Sequence, residues 1–113
     1  MIKKEDLPAC PVATTVQLIG NKWKLLILRN LLARPWRFNE LHTSLEGISQ
    51  QVLTSHLREM ESDGIVKREV YAEVPPRVEY SLSPLGESMR PILNAMQEWG
   101  NNYKEGLNKL AAE

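Results

Sequence analysis

The sequence predicts a mainly α-helical fold with one β-hairpin late in the chain, and three observations predict it. The stretch SQQVLTSHLREMESDG, Ser49–Gly64, carries the marks of a single helix capped at both ends. After Gly64 the hydrophobic period changes to alternation, interrupted by Val74-Pro75-Pro76. Beyond Ser83-Pro84 an apolar stripe at helical spacing runs to Leu110.

In chain order, residues 1–9 are polar and read as a flexible segment, and residues 10–113 read as one domain. Cys10-Pro11 marks a helix start, because proline is favoured at the first helical position, which makes Cys10 the cap. Val12, Val16 and Ile19 give that helix a short apolar stripe, and Gly20 ends it. Asn21 can cap a second helix, Lys22–Ala33, which is apolar nearly all round and so predicts a central core helix, stopped by Arg34-Pro35. A third, shorter helix covers about Phe38–Leu45, with Phe38, Leu41 and Leu45 inward. Glu46-Gly47-Ile48 turns the chain into the capped stretch, so the two helices form a helix-turn-helix.

In that stretch the Ser49 hydroxyl can accept from a free N–H of the first turn, and Ile48 and Leu53 stand where a hydrophobic staple places them. Gly64 fits the left-handed position after the helix, with Ile65 folding back onto Met60. Leu53, Leu57 and Met60 form the inner stripe; Gln51, Thr54, Ser55, Arg58 and Ser62 form the outer one, with no acid at its centre. Glutamine pairs with adenine, arginine with guanine, and hydroxyls with base edges or phosphates, so this face suits a DNA major groove. A solvated amphipathic helix is the bland alternative.

Val66, Val70 and Ala72 then fall mostly on one strand face, and Val78, Tyr80 and Leu82 alternate against Arg77, Glu79 and Ser81. The hairpin follows the helix-turn-helix directly, as a wing does, with Arg77 close to its tip and able to enter a narrow minor groove. Ser83-Pro84 opens the last region, 84–113, whose stripe is Leu85, Met89, Ile92, Met96, Trp99, Tyr103, Leu107 and Leu110. Pro91 inside it should kink or split the helix. So long a stripe exceeds the needs of one small core, and a second copy of the chain is the expected cover, with Ile92, Met96, Trp99 and Tyr103 as dimerisation residues. Folding back on its own domain is the alternative.

Composition excludes several classes. No apolar run approaches the ~18 residues of a membrane span, and MIKKEDLPAC is unlike a signal peptide, so a cytoplasmic protein without membrane partners is expected. A lone Cys10 cannot form an internal disulfide or a cysteine metal cage. Cys10, His42 and His56 fall on separate elements, which argues against an enzyme, and neither histidine has a metal-ligand set, so no metal or cofactor is expected. Formal net charge is zero, yet residues 20–58 carry an excess of four positive charges and 59–73 a deficit of three, so a basic surface would be confined to one side.

The chain resembles the HxlR-type family of bacterial transcriptional regulators, a branch near the MarR-like proteins. The resemblance rests on CPV at Cys10–Val12, IGNKWKLLIL at Ile19–Leu28, RFNEL at Arg37–Leu41, GISQQVLTSHLREMESDGIVKREVY at Gly47–Tyr71, EVPPRVEYSLSPLG at Glu73–Gly86 and WG at Trp99–Gly100. It covers about nine-tenths of the chain. Asn21 departs from it, since the family often has a second glycine there. The resemblance implies a winged helix-turn-helix, dimeric through its terminal helices, that binds double-stranded DNA at an operator with two half-sites ~34–36 Å apart. The recognition element would be Ser49–Asp63 and the wing tip Pro75–Arg77. The candidate DNA contacts are Arg37, Ser49, Gln50, Gln51, Thr54, Ser55, Arg58 and Arg77. A winged helix serving protein contacts without DNA is the alternative.

The resemblance also implies a role for Cys10, because some relatives sense disulfide stress or electrophiles with a cysteine at this position. A thiolate at a helix N-terminus gains from the helix dipole, and Lys3 and Lys4 are near in sequence. With one cysteine per chain, the available products are an intersubunit disulfide, a mixed disulfide with a small thiol, or an alkylated thiol. The alternative is a small apolar residue that fills a gap near the dimer contact.

Overall fold

The structure, a computed structural model, describes residues 3–112. After a 3-10 turn at Lys4–Asp6 come α1 (Pro11–Ile19), α2 (Lys22–Ala33), β1 (Trp36–Arg37), α3 (Phe38–Ser44) and α4 (Gln50–Ser62). Then follow β2 (Val66–Tyr71), β3 (Arg77–Leu82), α5 (Pro84–Glu87) and α6 (Arg90–Ala112). This is a winged helix-turn-helix, and both ends of α4 close as its residues dictate. The Ser49 hydroxyl accepts from the Val52 N–H at 3.1 Å. At the other end Gly64 adopts φ 81°, and the N–H groups of Gly64 and Ile65 donate to the carbonyls of Glu61 (3.1 Å) and Met60 (2.9 Å).

The core lies between α2, α3, α4 and the sheet. Ile27, Leu28 and Leu31 of α2 meet Leu41 of α3 and Leu53, Leu57 and Met60 of α4, with Ile65, Val66 and Leu82 closing the cluster from the wing side. Asn21 caps α2 through its side-chain oxygen, which accepts from Trp23 N–H (2.9 Å) and Lys24 N–H (3.3 Å). At the end of α5, Gly86 is buried so closely that a Cβ there would collide with the Ile65 carbonyl oxygen.

Several expectations need correction. The hairpin is part of a three-stranded antiparallel sheet of order β1-β3-β2, because Trp36 pairs with Tyr80 and Arg37 with Glu79. Strand β2 is inward only at its start: Val66 is buried, but Val70 is exposed because the wing projects past the core. Only Ile19 of the predicted α1 stripe is buried; Val12 and Val16 lie open. The last region does split, but Pro91 is the second residue of α6 rather than a kink within it, and the break falls at Ser88–Met89. Met89 therefore leaves the tail stripe and joins the core. Leu110 lies outside the residues whose side chains are described. Among the described residues no helix is long and apolar enough to cross a membrane.

Candidate nucleic-acid interface

The outer side of α4 is a shallow concavity lined by Gln50, Gln51, Thr54, Ser55, Arg58 and Glu59. The inner side chains Leu53, Leu57 and Met60 anchor the helix, so these positions face outward by helical geometry. Ser49 spends its hydroxyl on the cap. Thr54 turns its hydroxyl onto the Gln50 carbonyl (2.9 Å), which leaves its methyl and one lone-pair direction to the surface. Arg58 is exposed and takes part in none of the ion pairs among the described residues. It stands near the wing: the Tyr80 hydroxyl is pushed above its ordinary pKa by burial, against the pull of the Arg68 and Arg58 cations.

Arg37 and Arg77 form a second group. Arg37, with Phe38 and Asn39, faces the turn Glu73–Arg77 across another shallow concavity. The Arg37 N–H donates to the Glu40 carboxylate at 2.8 Å, which holds that carboxyl below its ordinary pKa, with the Arg34 charge adding to the effect. Arg77 is the first residue of β3, not an extended tip. Its guanidinium lies 4.0 Å over the Tyr71 ring and beside Glu73 (3.3 Å) and Glu79 (3.6 Å). The exposed end of the wing is Val74-Pro75-Pro76. An arginine folded onto its own hairpin must leave two carboxylates to reach a groove.

One further residue of the α4 surface escaped the sequence reading. Glu59 lines the same concavity as Arg58, and its carboxylate pairs with Lys24 of α2 at 2.5 Å. The hydrogen bond from Lys24 holds the Glu59 carboxyl below its ordinary pKa. The available signal was Lys24 itself, a cation inside the apolar run WKLLIL, which needs a partner to be buried. His42 is structural: Nε2 lies 3.1 Å from the Ile48 carbonyl, tying α3 to the turn before α4. His56 is held below its ordinary pKa by burial and then by Lys24. Among the described residues no group of three histidine, cysteine or acidic side chains could hold a metal ion.

Cys10 is exposed and caps α1 by its backbone, with Pro11 next and the Cys10 carbonyl accepting from Thr14 N–H at 3.0 Å. It is remote in sequence from the α4 face but belongs to the same helix as the open Val12 and Val16. The tail carries the matching feature. Ile92, Met96, Trp99, Tyr103 and Leu107 of α6 are all exposed, and the rings of Trp99 and Tyr103 stack at 5.3 Å.

A helix-turn-helix with a capped second helix, a polar outer face on that helix and a wing behind it defines a transcriptional regulator of helix-turn-helix type. The chain belongs to the HxlR-like helix-turn-helix family, whose model matches residues 18–108. It is 45% identical over 108 residues to the uncharacterized HTH-type transcriptional regulator YdeP of Bacillus subtilis (strain 168), covering 96% of this chain and 84% of that protein. Its structure is similar to that of the redox regulator HypR in its reduced form, with a TM-score of 0.83 and 44% identity over 88% of this chain and 99% of that one. It is also similar to the reduced form of the transcriptional regulator YodB from B. subtilis, with a TM-score of 0.74 and 33% identity over 85% of this chain and 95% of that one. These relatives are regulators, not enzymes.

Proposed function

We propose that the protein is a sequence-specific DNA-binding regulator that works as a homodimer on an operator of two half-sites. The observation that carries this reading is the single concavity on α4 that gathers Gln50, Gln51, Thr54, Ser55 and Arg58. In a major groove the two glutamines and Arg58 would read base edges, while Ser49, Thr54 and Ser55 would meet phosphates or edges. Arg37 and Arg77 would contact the duplex on the wing side, Arg77 after exchanging its carboxylate partners for phosphates. The arrangement supports DNA over a purely protein-binding winged helix, because protein contact has no need of this set of amide, hydroxyl and guanidinium groups.

The homodimer reading is supported by the open apolar row on α6, Ile92, Met96, Trp99 and Tyr103, with Val12 and Val16 on α1. A monomer would leave both in water, whereas helices 84–113 of two copies would cover them. Cys10 would act in this dimer as a sensor of oxidants or electrophiles. Its exposure supports that role, and the similarity to a redox regulator is consistent with it. Its chemistry would be attack of the thiolate on a disulfide, releasing the other sulfur as a thiol, or on an electrophilic carbon.

One experiment tests these parts together. Duplexes bound by the purified protein are selected from a random pool, with and without an oxidant or a quinone. A two-fold symmetric site is expected, lost or altered after treatment in the wild type but not in Cys10→Ser. Failure to enrich any sequence contradicts the DNA reading; an identical response of Cys10→Ser contradicts the sensor.

A further inference from the structure

Helix α2 carries one ammonium into the interior. Lys24 is nine per cent exposed, and the neighbours on its helix, Ile27, Leu28 and Leu31, are core residues. Its Nζ lies 2.5 Å from Glu59 Oε2, and the two side chains are exposed very unequally, 11% for Lys24 and 54% for Glu59. One end of the pair is thus under α4 and the other is on its outer side, where Glu59 is the sole acid lining the concavity with Gln51, Ser55 and Arg58.

Stability alone does not account for a lysine here. Taking an ammonium out of water costs several kcal/mol, and apolar replacements of buried ion pairs are often neutral or stabilising. Methionine has nearly the same length and would pack among the same leucines. What methionine cannot do is act on Glu59. A duplex is lined with phosphates, and an uncompensated carboxylate on the face that meets it opposes binding and offsets one favourable phosphate contact. His56, one turn before Glu59, is a poor substitute for the lysine, because burial and then the Lys24 charge lower its pKa, against the pull of Glu59.

We propose that Lys24 is a positioning residue for DNA binding: through its ion pair it holds the Glu59 carboxylate and cancels the one negative charge that lines the α4 concavity among the described residues. This rests on the DNA-binding reading above, and the test separates the two. Wild type, Lys24→Met, Lys24→Gln and the double variant Lys24→Met with Glu59→Gln are compared for fold by circular dichroism and melting. Each is then titrated with one selected duplex from about 50 to about 200 mM salt.

Lys24→Met is expected to bind on the order of tenfold more weakly, with the slope of log affinity against log salt reduced by about one. Lys24→Gln keeps a hydrogen-bond donor, one bond shorter than lysine, but not the charge. It should show the same reduced slope, which covers the case in which Lys24→Met does not fold. Removing the orphaned carboxylate in the double variant should restore both affinity and slope. A folded Lys24→Gln with the wild-type slope, or a double variant as weak as Lys24→Met, overturns the proposal and leaves Lys24 a packing residue. Wild type that ignores the duplex even in dilute salt overturns the DNA reading itself, and the proposal with it.

Discussion

The Ser83 hydroxyl lies 2.5 Å from the carbonyl oxygen of Gly64, 19 residues earlier in the chain, and so fastens the end of α4 to the start of α5. The Ser83 hydroxyl oxygen also accepts from the Gly86 N–H at 3.1 Å, capping α5, while the Ser83 N–H donates to the Ile65 carbonyl at 3.0 Å. Two residues that each mark a helix boundary therefore also join three elements: α4, the wing and the tail. Ser83→Ala is expected to lower stability by about 1–2 kcal/mol, since it removes a cap and leaves a part-buried carbonyl with one partner fewer. Chemical denaturation measures it; an unchanged midpoint would mean that water replaces the hydroxyl.

Arg58 faces outward, is exposed and belongs to none of the ion pairs among the described residues, so its truncation should spare the fold. Arg58→Ala is expected to weaken binding to a selected duplex by roughly 1–3 kcal/mol with melting unchanged. Equal affinity in the folded variant would remove Arg58 from the interface.

Gln50 and Gln51 stand at the N-terminal end of α4, the part of a recognition helix that meets base edges. Their alanine variants should change the preferred bases more than the overall affinity. Selection from random duplexes would then give a site with one or two positions relaxed. Logos identical to the wild type would assign the glutamines to solvent.

Trp99 is 68% exposed and stacked on Tyr103, a large apolar surface left mostly open to solvent. Trp99→Ala should loosen the dimer by on the order of tenfold or more, as expected for a buried aromatic anchor. Sedimentation at falling concentration reads this directly. A dimer of wild-type strength would place the contact elsewhere on the chain.

What could be read from the sequence was what is decided locally. Ser49 and Gly64 bound α4 because caps act within one turn, and Pro11 and Pro84 mark helix starts for the same reason. The outer row of α4 followed from helical period alone. Features made by distant parts of the chain were not legible. β1 is two residues long and exists through pairing with β3, more than 40 positions later. The partner of Lys24 lies on another helix, and Arg77 is drawn back by Tyr71, Glu73 and Glu79 on its own hairpin. The openness of Val12 and Val16 was also hidden, because an apolar stripe looks the same whether its cover is the same chain or another.

The central claim is that the outer side of α4, presented twice by a paired tail, recognises duplex DNA. Titrating a selected duplex with the purified, folded protein at rising salt, while counting the copies bound, tests it most directly. Two copies per duplex are expected, with affinity falling as a power of salt concentration. Absence of binding to any duplex in dilute buffer, or an affinity indifferent to salt, would contradict it.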